Sequence, residues 1–337
     1  MIKAGVIGYG YWGPNIVRNF CAHPELTIEK VCDISKDRLK VVKDNHREIK
    51  TTVNADEILD DPKIDLVAII TPVSTHFDFA KKALLKGKHV FIEKPMTSNS
   101  DEAKELIDLA ESKNLTLMVD HTFLFTGAVR KMKELSDKGS LGELYYYDSV
   151  RVNLGLFQHD INVLWDLAPH DISIMNYVID GLKPLSVNAV GVDHFNSGFV
   201  DVAYLTVNFN NNFLGHFHVN WLSPVKIRKT LMAGDKKMLV WDDLEKDKTI
   251  KVYDKGVDIN SIDEIYNMLV QYRSGEMHVP VIENIEALKL QTDYLVECIR
   301  DNKKPINDGP AGLDVVTILE ASDESLKNNG KEVKIKY

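Results

Sequence analysis

Lys3-Ala4-Gly5-Val6-Ile7-Gly8-Tyr9-Gly10-Tyr11-Trp12-Gly13-Pro14-Asn15 decides the fold. A short apolar strand runs directly into G-x-G-x-x-G, and a helix follows. Gly8 is expected to make the tight turn, Gly10 to let a pyrophosphate approach the backbone, and Gly13 to let the helix pack closely on the sheet. The helix N-terminus then offers free N–H groups to phosphates, with Tyr11 and Trp12 in the same loop. The next strand ends in Asp33, twenty residues after Gly13. A carboxylate there can accept the ribose 2′-OH of NAD and repel the 2′-phosphate of NADP. Asp33 also suits a helix N-cap, a role for which Ser35 and Asp37 compete.

Strand and helix alternate outward from this stretch. Strands are expected at 4–8, 28–33, 64–70, 90–93 and 116–119, and helices at 13–22, near 36–46, at 77–86 and at 100–113. Regular alternation of this kind implies a doubly wound parallel sheet, whose ligands bind at the C-terminal strand edge. Val90-Phe91-Ile92-Glu93-Lys94-Pro95 delivers Glu93 and Lys94 to that edge, and Pro95 stiffens the turn. A strand-end ion pair is the plainer reading of the same residues. Thr71-Pro72-Val73-Ser74-Thr75-His76 leaves the sheet at another point of the edge. His76 is expected to face the crevice there, or to cap the helix behind it.

At 337 residues two domains are expected. Hydrophobic content of 44% and charged content of 27% describe an ordinary globular protein. A net charge of −9 disfavours nucleic acid and anionic membrane as partners. Cys21, Cys32 and Cys298 lack metal or redox spacing, so no metal site is expected. Cys21 and Cys32 are read as small packing residues in a reduced, cytoplasmic protein without signal peptide or transmembrane helix.

After about residue 120 the pattern changes to a helix at 128–138 and a run of strands at 144–153, 185–192, 202–209, 213–221, 228–233, 237–241 and 249–253. A largely antiparallel open sheet follows. Tyr145, Tyr147, Phe217, Val219 and Trp221 fit either an exposed interface face or a core against helices, and His216 and His218 share one strand face. Trp165-Asp166-Leu167-Ala168-Pro169-His170-Asp171 opens an apolar helix at 172–179, with Pro169 suited to its first turn. If the helix already includes Asp166, it shares a face with His170, and a carboxylate that orients an imidazole makes a general base. An N-cap aspartate and a core histidine would read the same way.

Gly8-Tyr9-Gly10-Tyr11-Trp12-Gly13, Glu93-Lys94-Pro95 and Asp166-x-x-x-His170 together resemble the glucose–fructose oxidoreductase/inositol dehydrogenase/rhizopine catabolism family over nearly the whole chain. The resemblance implies an α/β protein with a Rossmann NAD-binding domain at 1–120, a substrate and oligomerisation domain at 121–305, and a segment at 306–337 that returns toward the Rossmann domain. It implies homodimers or homotetramers built through the open sheet. It assigns Lys94 to the nicotinamide and substrate hydroxyl, His170 to acid/base catalysis and Asp166 to its support. Cofactor contacts are then expected from Gly8, Gly10, Tyr11, Trp12, Gly13, Asp33, Thr71, Pro72, His76, Glu93 and Lys94.

Asp120-His121-Thr122-Phe123-Leu124-Phe125 and Asn220-Trp221-Leu222-Ser223-Pro224-Val225-Lys226-Ile227-Arg228 are similar to the branch acting on nucleotide-activated amino sugars. That branch implies oxidation at C3 of a UDP-N-acetylglucosamine-type substrate, with an aminotransferase downstream. The substrate set is then His121, Phe123, Asn153, Lys226 and Arg228, where Lys226 and Arg228 fit a diphosphate or a solvated strand face equally well. A polyol dehydrogenase, a keto-sugar reductase and a non-catalytic NAD-binding regulator are the alternatives.

Overall fold

The computed structural model describes residues 1–155, 160–179, 181–246, 249–258, 271–273 and 275–336. They form two compact units, one of residues 1–125 and 285–317, the other of 126–284 and 318–337.

The first unit is built on six parallel strands: β1 (Ile2–Ile7), β2 (Leu26–Cys32), β3 (Lys50–Thr52), β4 (Leu66–Ile69), β5 (His89–Ile92) and β6 (Leu117–Val119). Their order is β3-β2-β1-β4-β5-β6, so the chain reverses direction across the sheet between β1 and β4. All of Leu66–Ile69 is buried, as expected of a parallel strand covered on both faces. The covering helices are α1 (Gly13–Ala22), α2 (Lys36–Asn45), α3 (Asp56–Leu59), α4 (His76–Leu85) and α5 (Ser100–Ser112). Ser35 caps α2 by accepting Arg38 N–H, and Asn99 caps α5 through Glu102 N–H. Asp33 is therefore not the cap of α2.

Strand β3 and the short α3 carry no sequence signal of their own. Lys-Thr-Thr at the sheet edge has no apolar alternation to read. Of the cysteines, Cys32 and Cys298 are buried and all three are free thiols. Cys21 is exposed, contrary to the packing expectation, because it sits on the outer face of α1.

Residues 285–317 group with the first unit, whereas the sequence boundaries placed 121–305 together. They bring helix α8 (Ala287–Arg300), whose Tyr294 ring lies 5.5 Å from that of Phe125. Backbone bonding does the rest. Val119 N–H donates to Asn307 O, and Met118 bridges to Asp308. Helix α9 (Gly309–Lys327) includes the Gly309-Pro310-Ala311-Gly312 run within its first turn. A Cβ on Gly312 would stand 2.8 Å from Val119 Cγ2, so this glycine permits the close approach.

The second unit carries helices α6 (Gly127–Asp137) and α7 (Val163–Val178) and strands β7 (Leu144–Leu154), β8 (Pro184–Val192), β9 (Val202–Phe209), β10 (Leu214–Asn220), β11 (Leu222–Gly234), β12 (Met238–Asp242), β13 (Ile250–Tyr253), β14 (Gly256–Asp258), β15 (Gln271–Arg273), β16 (Met277–His278) and β17 (Val333–Lys334). Nine of these strands form one sheet, ordered β16-β13-β12-β11-β7-β10-β9-β8-β17. Its pairings are antiparallel except β7 with β10, which run parallel at its centre.

Tyr147, Phe217, Val219 and Trp221 are buried, so the alternation of these strands turns its aromatic side into the core. Met175 of α7 lies over Gly215, where any Cβ would be 2.6 Å from its sulfur. Tyr145 alone of the five sequence candidates is exposed. The opposite face presents Val190, Val192, Tyr204 and Leu214, each at least 40% exposed. His216 and His218 lie on it beside Tyr204, whose ring stacks on His218 at 4.4 Å. No helix among the described residues is long and apolar enough to cross a membrane.

Candidate active site

In the first unit the C-terminal edge of the sheet collects the predicted cofactor residues. Gly8 has φ +100°, a left-handed conformation that favours glycine. A Cβ there would meet Ile70 O at 2.2 Å, and one on Gly13 would meet Gly8 O at 2.9 Å. The loop thus closes on itself only with glycine at both positions. At Gly10 the nearest atom to a Cβ would be Arg38 Nη1 at 3.8 Å, leaving open space along the backbone where a side chain would otherwise project. Helix α1 follows with Pro14 in its first turn, no acidic residue there and no side-chain cap on its N–H groups. The open backbone and uncapped helix end together fit a dinucleotide pyrophosphate.

Asp33 is 6% exposed at the end of β2. Its Oδ2 accepts Tyr9 N–H at 2.7 Å and its Oδ1 accepts Ser35 N–H at 2.8 Å. Each oxygen keeps lone-pair capacity for a ribose diol, and Tyr9 ties the acid to the glycine loop. Arg38 Nη1 lies 3.6 Å from Oδ2. Tyr11 is 86% exposed at the loop tip, whereas Trp12 is half-buried and its indole N–H donates to Asp120 Oδ2 at 2.8 Å.

Glu93 and Lys94 leave β5 half-buried, with Glu93 N–H donating to Ile69 O, and the Lys94–Pro95 peptide is cis. Thr71 and Pro72 leave β4 beside them, Thr71 Oγ1 accepting from Thr75 Oγ1 at 2.7 Å. His76 sits on this edge with its ring turned inward. It is 1% exposed, and its ring nitrogens lie 2.9 Å from Pro95 O and 2.8 Å from Thr71 O. Burial lowers its pKa, with the carbonyl contacts pulling the other way, and its ring ties two edge loops together rather than facing the crevice. His121 is also 1% exposed, and neither ring nitrogen has a hydrogen-bond partner. Burial, and then the Lys94 charge, push its pKa down to about 3. Phe123 follows in a short 3₁₀ turn, half-buried.

In the second unit Asp166 and His170 lie in one continuous helix. Asn162 caps α7 by accepting Leu164 and Trp165 N–H, so the helix begins nine residues earlier than the apolar run suggested. Pro169 is consequently in the helix interior, not its first turn. Asp166 and His170, four apart in α7, share a face. Asp166 Oδ2 accepts the indole N–H of Trp221 at 2.9 Å. Trp165 and Asn162 both donate to Asp323 at 2.8 Å.

Next to His170, Asp171 forms a two-bond ion pair with Arg151 of β7, at 2.7 and 2.9 Å, with both side chains buried. Such a pair anchors the helix rotation that aims its neighbours. Asn153 faces the bulge in β11, where the register jumps from Leu222 opposite Leu154 to Ile227 opposite Val152. Lys226 lies exposed in that bulge, so Asn153 and Lys226 come from the same place in the sheet. Arg228 is half-buried, with Nη1 3.2 Å from Asp243 Oδ2. Asp120 and Trp221 fall in stretches that resemble the amino-sugar branch but carry no site role in the sequence reading, because their partners Trp12 and Asp166 are distant along the chain.

A Rossmann sheet with a dinucleotide cradle, followed by a helix-backed open sheet, defines an NAD-dependent oxidoreductase. The chain belongs to the GFO/IDH/MocA oxidoreductase family. Residues 2–121 match its NAD-binding Rossmann fold, and residues 129–240 match its C-terminal domain. It is 26% identical over 328 residues to UDP-N-acetylglucosamine 3-dehydrogenase of Acidithiobacillus ferrooxidans, covering 94% of each protein. It is 26% identical over 318 residues to the NAD-dependent scyllo-inositol 2-dehydrogenase of Bacillus subtilis, covering 90% of this chain and 88% of that one. The solved structure of GnnA, the Acidithiobacillus ferrooxidans UDP-N-acetylglucosamine 3-dehydrogenase, has the same fold, with a TM-score of 0.81 at 23% identity, covering 97% of this chain and 98% of that one.

Proposed function

We propose that this chain oxidises the C3 hydroxyl of a UDP-N-acetylglucosamine-type nucleotide sugar to a 3-keto sugar. The observation that carries the chemistry is Lys94, which follows β5 at the same edge of the NAD-binding sheet as the glycine cradle that follows β1. NAD, when bound, supplies the nicotinamide that accepts the hydride. Lys94 holds the substrate oxygen and stabilises the negative charge that develops there. His170 takes the hydroxyl proton at a ring nitrogen, and Asp166 supports it, its own carboxylate steadied by Trp221. Lys226 and Asn153 at the β11 bulge are the candidates for the diphosphate end, while Arg228 would have to share its guanidinium with Asp243.

The nucleotide-sugar reading is supported by the 26% identity that runs through 94% of both chains. The equal identity to an inositol dehydrogenase supports a second reading, oxidation of a free polyol. A 3-keto amino sugar is a carbonyl ready for amination, so an aminotransferase is the expected consumer. The outer face of the nine-stranded sheet, with Val190, Val192, Tyr204 and Leu214 exposed beside His216 and His218, supports pairing with a second copy of the chain in a homodimer or homotetramer. Free thiols at all three cysteines accord with a cytoplasmic location.

The test is NADH appearance with UDP-N-acetylglucosamine, its uronic acid, free glucose and inositol, with a trap for the keto product. Signal with a UDP-sugar alone supports the proposal. Signal with inositol alone replaces the substrate and keeps the chemistry, and silence with every alcohol refutes both.

A further inference from the structure

Asp120 is a buried acid that the proposed chemistry leaves unused. It is 1% exposed, directly after β6, and its N–H donates to Ile92 O at 2.7 Å. That bond extends the parallel register in which Ile92 faces Val119. Asp120 therefore stands beside the turn that carries Glu93 and Lys94. Its Oδ2 accepts the Trp12 indole N–H at 2.8 Å, and its Oδ1 accepts the Thr122 hydroxyl. Trp12 is the residue from which α1 departs. One carboxylate thus links the phosphate-facing loop, the end of β6 and the neighbourhood of Lys94.

A carboxylate offers one acceptor oxygen to each of these two donors, whereas an amide offers a single oxygen and would turn an NH2 toward the other. Burying the charge is costly, and a nearby cation offsets part of that cost. Lys94, in the turn beside Asp120, is the cation whose charge acts on it, with His121 and Gln291 as other polar neighbours. Burial raises the Asp120 pKa, and the Thr122 and Trp12 donors, the nearby Gln291 amide and the Lys94 charge act against that rise. His121, held neutral, adds no competing positive charge.

We infer that Asp120 is a positioning residue: held by Trp12 and Thr122, its carboxylate locks the dinucleotide loop to the strand end that presents Lys94. The loop half of this inference concerns cofactor binding alone, and the Lys94 half rests on the hydride-transfer reading above. A loop freed from its anchor must be ordered by the cofactor, which weakens binding.

The experiment is a double-mutant cycle of Trp12→Phe and Asp120→Asn, read by NADH fluorescence titration and by kcat and KM measured separately. Each single change is expected to weaken NADH binding about tenfold, the scale of one hydrogen bond to a charged group, and the double change no further than either single. Unaltered binding, or losses that simply add, overturns the loop anchor. Asp120→Asn is also expected to lower kcat about tenfold, because it loosens the strand end that presents Lys94, while Trp12→Phe leaves kcat in place. An unchanged kcat in Asp120→Asn overturns the link to Lys94. Should Asp120→Asn fail to fold, Trp12→Phe tests the anchor from the half-exposed loop. A wild-type chain that oxidises no sugar refutes the proposed function, and the NADH cycle still decides the loop anchor.

Discussion

His121 should make the protein acid-sensitive in a way one substitution removes. Its ordinary pKa of 6.5 falls to about 3 in the fold, because burial strips the imidazole of water and Lys94 opposes a second positive charge. A histidine whose folded value is depressed contributes no penalty above 6.5. As pH falls below 6.5 the unfolded chain gains a proton that the folded chain refuses, and stability is lost until about pH 3. At pH 5 the unfolded group is 1.5 units past its titration, which at 1.36 kcal/mol per unit is about 2 kcal/mol. His121→Leu removes the titration, and because neither ring nitrogen is hydrogen-bonded it leaves no stranded partner behind. Urea unfolding at pH 7 and pH 5 measures the difference. His76 and His89, whose pKa values burial also lowers, contribute equally in both proteins and cancel. The wild type should lose about 2 kcal/mol more than the variant over this interval. Equal losses would refute the account of His121 as a buried neutral base.

Other perturbations follow from the same geometry. Asp33→Ala removes the acceptor for Tyr9 N–H and the ribose-facing carboxylate together, so the KM for NAD should rise about tenfold or more and the preference over NADP should shrink, as initial rates with both cofactors will show. Trp221→Phe deletes the donor to Asp166 while keeping the core filled, so kcat should fall roughly tenfold with NADH affinity unchanged. Arg151→Ala leaves Asp171 buried without its partner and should cost about 3–5 kcal/mol in urea unfolding, whereas replacing both residues by apolar ones should cost less than the single change. Lys94→Ala and His170→Ala should each lower kcat by about 10²-fold or more with NADH binding retained.

The alternation of apolar strands with capped helices made the Rossmann sheet legible, because β4, β6 and most of β5 are apolar runs ending in a turn. The glycines were legible for the same local reason: Gly8 and Gly13 occupy positions where a Cβ collides with backbone. Helix α7 was read too short since its start depends on the Asn162 side chain, not on hydrophobic spacing. The alternating strands of the second sheet gave the period but not the side, so only the packing of α7 over Gly215 shows that Phe217 and Trp221 face inward. Asp120 with Trp12 and Asp166 with Trp221 are separated by 108 and 55 residues, so no local pattern could pair them. His76 looked like a crevice residue from its place after β4, and only the position of Pro95 O shows where its ring goes.

The central claim is that a sugar C–H becomes the hydride of NADH. The most direct measurement is turnover of UDP-N-acetylglucosamine carrying deuterium at C3, followed by mass analysis of the reduced nicotinamide. The account predicts that deuterium arrives on the nicotinamide ring and that the reaction slows with the labelled sugar. Unlabelled NADH formed at an undiminished rate would contradict oxidation at C3.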